Sequence, residues 1–244
     1  MLPQSQILKE NDPMQRPLLN EPVIYRVLFC KRNDAQYISH LDLQRTIMRV
    51  LSRAGIPMWY TEGFNPHPKV IFALPLSVGA ESVCEFLDLK IARQISCEET
   101  KDLLNRQLTA DMEVRDVYVP ETKFTEIGWA DYTVRCVWPG LDTVGEEQIV
   151  SFLQTSPVLV TKKSKSGPKT FDIVPLIGRI SLSREDKQLV FRLRLSASEN
   201  DYLNPELLLG ALREQFELGP EDPAAETHTI MRDEVYFKNG TVFR

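Results

Sequence analysis

The stretch "SHLDLQRTIMRVLSRAGIP", residues 39–57, decides how the rest of the chain is read. A helix advances about 100° per residue. With Leu43 at zero, Ile47, Val50, Leu51 and Ala54 fall within about 80° of it, a core-facing stripe. Arg45, Arg49 and Arg53 gather with Asp42 at about 200° to 280°, on the side away from that stripe. His40 falls near about 60°, at the edge of the core stripe, in the first turn where backbone N–H groups are free. Ser39 and Asp42 form a capping box with Asp in place of Glu, and Ile38 is placed to staple onto Leu43. Gly55 and Pro57 stop the helix.

Outward from this helix, β-rich runs alternate with capped helices. "VIYRVLF" (23–29) precedes it as a strand. "PMWY" begins a short strand after it, followed by strands at "KVIFAL" and "CEFLDLKI", joined by "PLSVGAES". Ser96 and Glu99 cap a helix over 97–108, and "MEVRDVYV" closes the unit as a strand. Strand, helix, two strands, helix, strand is the ferredoxin-like plan. The pattern returns: a strand at "DYTVRCVW" (131–138), a helix capped by Thr143 and Glu146, and a hairpin from "VLVTKKS". Strands at "LIGRISL" and "KQLVFRLRLSA", a helix opened by Asn204 and Pro205, and a strand near "TIMRDEVYF" complete it. The expectation is an α+β protein of tandem ferredoxin-like (βαββαβ) units, antiparallel sheets with helices on one face. The units span 23–120 and 131–244, after a disordered leader over 1–22 that is polar and proline-bearing. The alternative is one larger α+β sheet.

The bulk numbers narrow the function classes. The chain has 244 residues and a net charge of −5, which argues against a uniformly basic nucleic-acid binder. The distribution is uneven. Residues 23–70 carry seven basic residues against Asp34, Asp42 and Glu62, a local excess of +4. "KKSKSGPK" adds Lys162, Lys163, Lys165 and Lys169 with no acid between them. Such patches suit a polyanion; the plainer reading is solvated lysines in a hairpin. The four cysteines, Cys30, Cys84, Cys97 and Cys136, form neither a CxxC nor a close triplet. Reduced, mostly buried thiols in the cytoplasm are expected, with no cofactor and no metal. No stretch approaches the roughly 20 apolar residues that span a bilayer, so no membrane partner is expected.

One loop stands out. "YTEGFNPHPK" (60–69) places His67 between two prolines, and each proline holds the residue before it, Asn65 and His67, extended. Gly63, Phe64 and Lys69 complete its candidate binding set. Ser39, His40, Asp42, Arg45, Arg49 and Arg53 form the helical one, with Lys162, Lys163 and Lys165 as a second basic site. Arginines spaced four apart track a phosphate backbone, or simply form a solvated face. Phe64, Trp59 or Tyr60 stack on bases, or pack beside a strand.

"YISHLDLQR" followed by "LSRAGIPMWYTEGFNPHPKVIFALPLSVGAES" resembles a radical-SAM-associated family of uncharacterised bacterial domains, found alone or C-terminal to radical SAM proteins. The likeness is dense over 23–90 and looser at "FDIVPLI" and "LNPELLL". It implies a non-catalytic accessory module working with a separate radical SAM protein, because this chain lacks the cysteine triplet of such an enzyme. It also implies RNA or a ribosomal protein as substrate. Two further readings compete. One is a metal-independent endoribonuclease with His40 and His67 as acid and base and Lys69 or Lys31 at the phosphorane. The other is a pure protein-interaction module. A metal site from His40, Asp42 and His67 fits no familiar spacing.

Overall fold

The structure is a computed structural model that describes residues 13–155, 157–164, 167–186, 188–218 and 227–244. The chain divides into two compact units, Met1–Lys123 and Phe124–Arg244.

In the first unit, β1 (Leu18–Lys31), α1 (His40–Arg53), β2 (Val70–Phe72), β3 (Ala80–Arg93), α2 (Cys97–Asn105) and β4 (Val114–Tyr118) follow in order. The strands pair antiparallel as β4-β1-β3-β2, with Val27 opposite Leu87 and Val117, and Val70 opposite Leu89. This is the ferredoxin-like order. Side chains alternate along a strand, so Val27 and Phe29 of β1, Leu87, Leu89 and Ile91 of β3 and Val114 of β4 share one face. The α1 stripe of Leu43, Ile47, Val50 and Leu51 packs on them, with Leu104 of α2. Ser39 caps α1 by accepting from the Asp42 amide at 3.2 Å, and Ser96 caps α2 by accepting from the Glu99 amide at 3.1 Å.

The second unit repeats the plan with one insertion. β5 (Ile127–Val137) and α3 (Glu146–Gln154) lead to a separate hairpin, β6 (Leu159–Ser164) and β7 (Gly167–Asp172). Then come β8 (Ile177–Glu185), β9 (Gln188–Ser196), α4 (Pro205–Phe216) and β10 (Thr227–Phe237). The strand order is β10-β5-β9-β8, the same arrangement again. Asn204 caps α4 by accepting from the Glu206 amide at 3.1 Å, with Pro205 at the first helical position. Alternate residues of β5, Ala130, Tyr132, Val134 and Cys136, are buried, as are Ile149 and Leu153 of α3 and Leu208 and Leu212 of α4.

Several local expectations are corrected. The disordered leader does not run to residue 22: Pro13–Gln15 make a 3-10 turn and β1 starts at Leu18. Remote partners hold this segment. Arg16 forks onto the Glu99 carboxylate, Arg93 donates to the Arg16 carbonyl at 2.6 Å, and the Gln94 amide donates to the Pro17 carbonyl at 3.2 Å. Residues 1–12 of the expected leader lie outside the described residues. "PMWY" makes only single bridges, Met58 to Ile91 and Tyr60 to Pro68, because the Lys90 amide of β3 donates to the Lys69 carbonyl instead of continuing the pairing. The Thr143 hydroxyl donates to the Gly140 carbonyl and caps nothing. α3 starts instead at Gly145, whose amide donates to Gln148 Oε1 at 2.9 Å.

On the other face of the first sheet, Arg26 is wholly buried. Its Nε and Nη2 fork onto Asp88, its cross-strand partner, at 2.8 and 2.9 Å, and it also donates to the Thr122 hydroxyl and carbonyl. Removing one member of a buried pair strands the other charge. Asp88→Ala is therefore expected to cost about 3–5 kcal/mol, read as a fall in urea midpoint with an unchanged slope.

Candidate functional site

The first unit carries most of the residues singled out by sequence. β3 pairs with two successive pieces of chain. Trp59 donates its amide to the Lys90 carbonyl at 2.7 Å, and Val70–Phe72 pair with Leu87–Leu89. Between these two anchors, residues 59–69 fold back on themselves. The Lys69 amide donates to the Trp59 carbonyl and the Thr61 amide to the His67 carbonyl, both at 3.0 Å. This makes a narrow hairpin with Glu62–Pro66 at its tip.

His67 is exposed and acts inside that hairpin. Its amide donates to Thr61 Oγ1 at 3.2 Å, and its Nδ1 lies 3.1 Å from the same hydroxyl and 3.2 Å from the Asn65 carbonyl. An N–H on Nδ1 satisfies the carbonyl. Gly63 takes φ 122°, a conformation that side-chain-bearing residues rarely adopt. The turn throws Phe64 clear of the protein, with a relative exposure of 112%. Tyr60 is also exposed, Trp59 half-buried, and Lys69 meets no carboxylate among the described residues.

His40 does different work. Its ring packs edge-on against Phe72 of β2, centroids 5.5 Å apart, and its Nε2 lies 3.0 Å from the Gln44 amide nitrogen. Its place at the edge of the core stripe puts the ring against the sheet rather than beside the arginines. His40 and His67 share no hydrogen bond or ring contact among the described residues. Lys31, suggested by sequence as a phosphate-side cation, is buried, and its ammonium donates to the carbonyls of Gln36 and Ala80. It is a structural group.

The outer face of α1 carries Arg45, Arg49 and Arg53, all exposed. Arg45 pairs with Asp42 at 3.1 Å, Arg53 donates to the Gln107 carbonyl, and Arg49 meets no carboxylate among the described residues. Asp42 accepts from the Ser39 hydroxyl at 2.7 Å. That bond first, and Arg45 second, hold its carboxyl below the usual value. Among the described residues no three His, Cys, Asp or Glu side chains come together as a metal set. Sequence reading passed over Tyr37, Leu41 and Ile71, apolar side chains that the same unit leaves exposed.

The basic run falls on the β6–β7 hairpin. Lys162 stands directly opposite Lys169, and Lys163 opposite Pro168, while Thr161 and Thr170 share a hydroxyl bond of 2.8 Å. Like charges facing across a strand pair repel. Lys165 lies outside the described residues. Among the described residues no helix is long and apolar enough to cross a membrane.

Ser39→Ala removes the α1 cap and is expected to cost about 1 kcal/mol. It also frees Asp42, whose carboxyl should titrate closer to the ordinary value by NMR. Because the folded carboxyl sits low, its contribution is present above the ordinary value and lost as pH falls through the folded one. In Ser39→Ala, that acid-side loss of stability should shrink.

Known proteins place the chain without giving it an activity. No curated protein matches it. Solved structures share its outline only distantly. A chain of a Cbf5–Nop10–Gar1 complex is 11% identical over 86% of this chain and 48% of that one, with a TM-score of 0.44. An unknown protein from Galdieria sulphuraria is 9% identical over 87% of this chain and 99% of that one, with a TM-score of 0.26. The chain thus spans about half the length of the first of these. A family model, described as "Uncharacterized protein conserved in bacteria (DUF2344)", matches residues 25–205, and this chain belongs to that family.

Proposed function

We propose that the protein is a non-catalytic binding module that works in the cytoplasm with a separate radical SAM protein and holds an RNA substrate. The observation that carries this reading is Phe64, wholly exposed at the tip of a hairpin stiffened by Pro66, Pro68 and the Thr61–His67 bonds. Placing a phenylalanine in water is unfavourable by itself. A rigid mount lowers the ordering cost when the ring meets a partner. A nucleobase matches such a ring, because every base has a π-face and stacking tolerates sequence. Lys69 at the hairpin base and Arg49 on α1, neither paired with a carboxylate, supply phosphate contacts. Facing lysines on the β6–β7 hairpin suit the same polymer.

The endoribonuclease reading has less support. General acid and base must flank one phosphate, whereas His40 is committed to Phe72 and Gln44, and His67 to its own loop. The radical SAM partner rests on the sequence resemblance and on the lack of a close cysteine triplet in this chain.

Fluorescence anisotropy with labelled single-stranded RNA tests the binding. Phe64→Ala is expected to weaken it by about 1–3 kcal/mol. Lys69→Ala should reduce the slope of log K against log salt by about 0.7. Wild-type affinity in Phe64→Ala, or no binding at low salt, defeats the reading. Affinity purification from the native host, probed for a radical SAM protein, tests the partner.

A further inference from the structure

The second unit has a sheet face that its helices do not cover. Trp129, Asp131, Thr133 and Arg135 of β5 alternate with buried residues and stand on that face. Register brings Ser196, Arg194 and Arg192 of β9 beside the first three, with Arg179 of β8 next to Arg194. Tyr236 of β10 lies opposite Trp129.

The two aromatic rings are not equivalent. Arg194 lies over Tyr236, its guanidinium carbon 3.8 Å from the ring centroid, and forks onto Asp131 at 2.7 and 2.9 Å. Tyr236 donates to the same carboxylate at 3.0 Å. Trp129 has no such cover. Its six-membered ring lies against Gly178 at a register shift of edge strand β8, so that a Cβ there would stand 2.9 Å from the indole. Half-buried, it has an indole N–H with no acceptor among the described residues.

Trp129 also forms one wall of a groove of about 450 Å³, shared with Ser196, Ser198, Glu199, Asn200, Asp201 and Lys238, so that its lining holds two carboxylates and one lysine. Ser198, Asn200 and Asp201 follow β9 and offer a hydroxyl, an amide and a carboxylate. Lys238 is exposed at the other side. The outer charge is positive along the sheet: the Arg179 side chain is 65% exposed, while the Asp131 it meets is 16% exposed.

We infer that this groove is a nucleotide site, with the base stacked on Trp129, its edge read by Ser198, Asn200 and Asp201, and its phosphate held by Lys238. An aromatic wall, a few hydrogen-bonding groups and a nearby cation are what a base, its edge and its phosphate require. Asp201 accepts hydrogen bonds, so bases with an exocyclic amine, adenine, cytosine and guanine, are favoured over uracil. The same chemistry serves a free nucleotide or one base of a single strand. The site does not depend on the Phe64 hairpin.

Quenching of tryptophan fluorescence in the variants that keep Trp129, and calorimetric titration of every variant including Trp129→Leu, test it, with AMP, CMP, UMP, poly(A) and poly(U) as probes. The comparison set is wild type, Trp129→Leu, which keeps an apolar cover over Gly178, and Asn200→Ala, a surface change. Wild type should be quenched by AMP and CMP at lower concentration than by UMP. Trp129→Leu should bind about tenfold more weakly, the loss expected for one stacked base. Asn200→Ala, which removes one edge contact and leaves Asp201, should weaken binding and keep the preference for AMP and CMP over UMP. Quenching by mononucleotides assigns a free nucleotide, and quenching by polymer alone assigns a base within a strand; both support the site. Equal affinity in Trp129→Leu and wild type, or no quenching by any probe, overturns it. In Phe64→Ala the mononucleotide response should persist. If Phe64→Ala binds polymer as wild type does, the hairpin reading falls while the Trp129 site stands on its own titration.

Discussion

The buried pair of Arg26 and Asp88 is the constraint on which the first sheet depends. A guanidinium taken wholly out of water is tolerable only with its donors satisfied. Asp88 takes two of its bonds from the facing position on β3, so the β1–β3 register cannot slip by one residue without stranding both charges. Register then fixes which side chains face the helices: Val27 and Phe29 from one strand, Leu87 and Leu89 from the other. Thr122 accepts two more bonds and ties the chain beyond β4 to the sheet centre. An apolar pair of similar volume would leave the helix-facing core intact and lose this penalty against slippage.

That fixed register decides what the edge of the sheet can present. β2 has only three residues, and the hairpin before it leaves β3 between Lys90 and the Leu89 pairing. Short edge strands discourage edge-to-edge pairing. Here the same brevity mounts a stiff projection. Proline removes donors at 66 and 68, so the strand ladder cannot continue along the loop. Thr61 and His67 replace it with side-chain bonds. The histidine that looked out of place in the sequence braces the tip that carries Phe64.

Much of this was legible because it is local. Helical periodicity placed Leu43, Ile47, Val50 and Leu51 in the core and the three arginines outside. Caps at Ser39, Ser96 and Asn204 follow from short-range chemistry. What failed depended on distant partners. Nothing local in "RPLLNEP" announces that Arg16 will meet Glu99. Lys31 reads as a surface cation until two carbonyls, one from beyond β2, close around it. Thr143 lost its cap to a glycine two residues on, because Gln148 reaches back to that amide. At the site, Phe64 was named among candidates, but burial and full exposure are indistinguishable from sequence alone.

Trp129 shows the same limit from the other side. The alternation in "GWADYTVR" is visible, and it does put Trp129, Asp131, Thr133 and Arg135 on one face. Which face the helices cover is not local information, since both faces of a four-stranded sheet have apolar or large residues. Arg194 and Arg179 both lean on Asp131. Their pairing removes them as generic phosphate clamps and makes them a frame around one uncovered indole. In the first unit the accessible aromatic is thrust out on a hairpin; in the second it is half-buried against the backbone of Gly178. One βαββαβ plan thus yields two mechanically different mounts. The half-buried one limits a bound base to one ring face, and the projecting one leaves both faces open, so the second unit is the place to look for discrimination between bases.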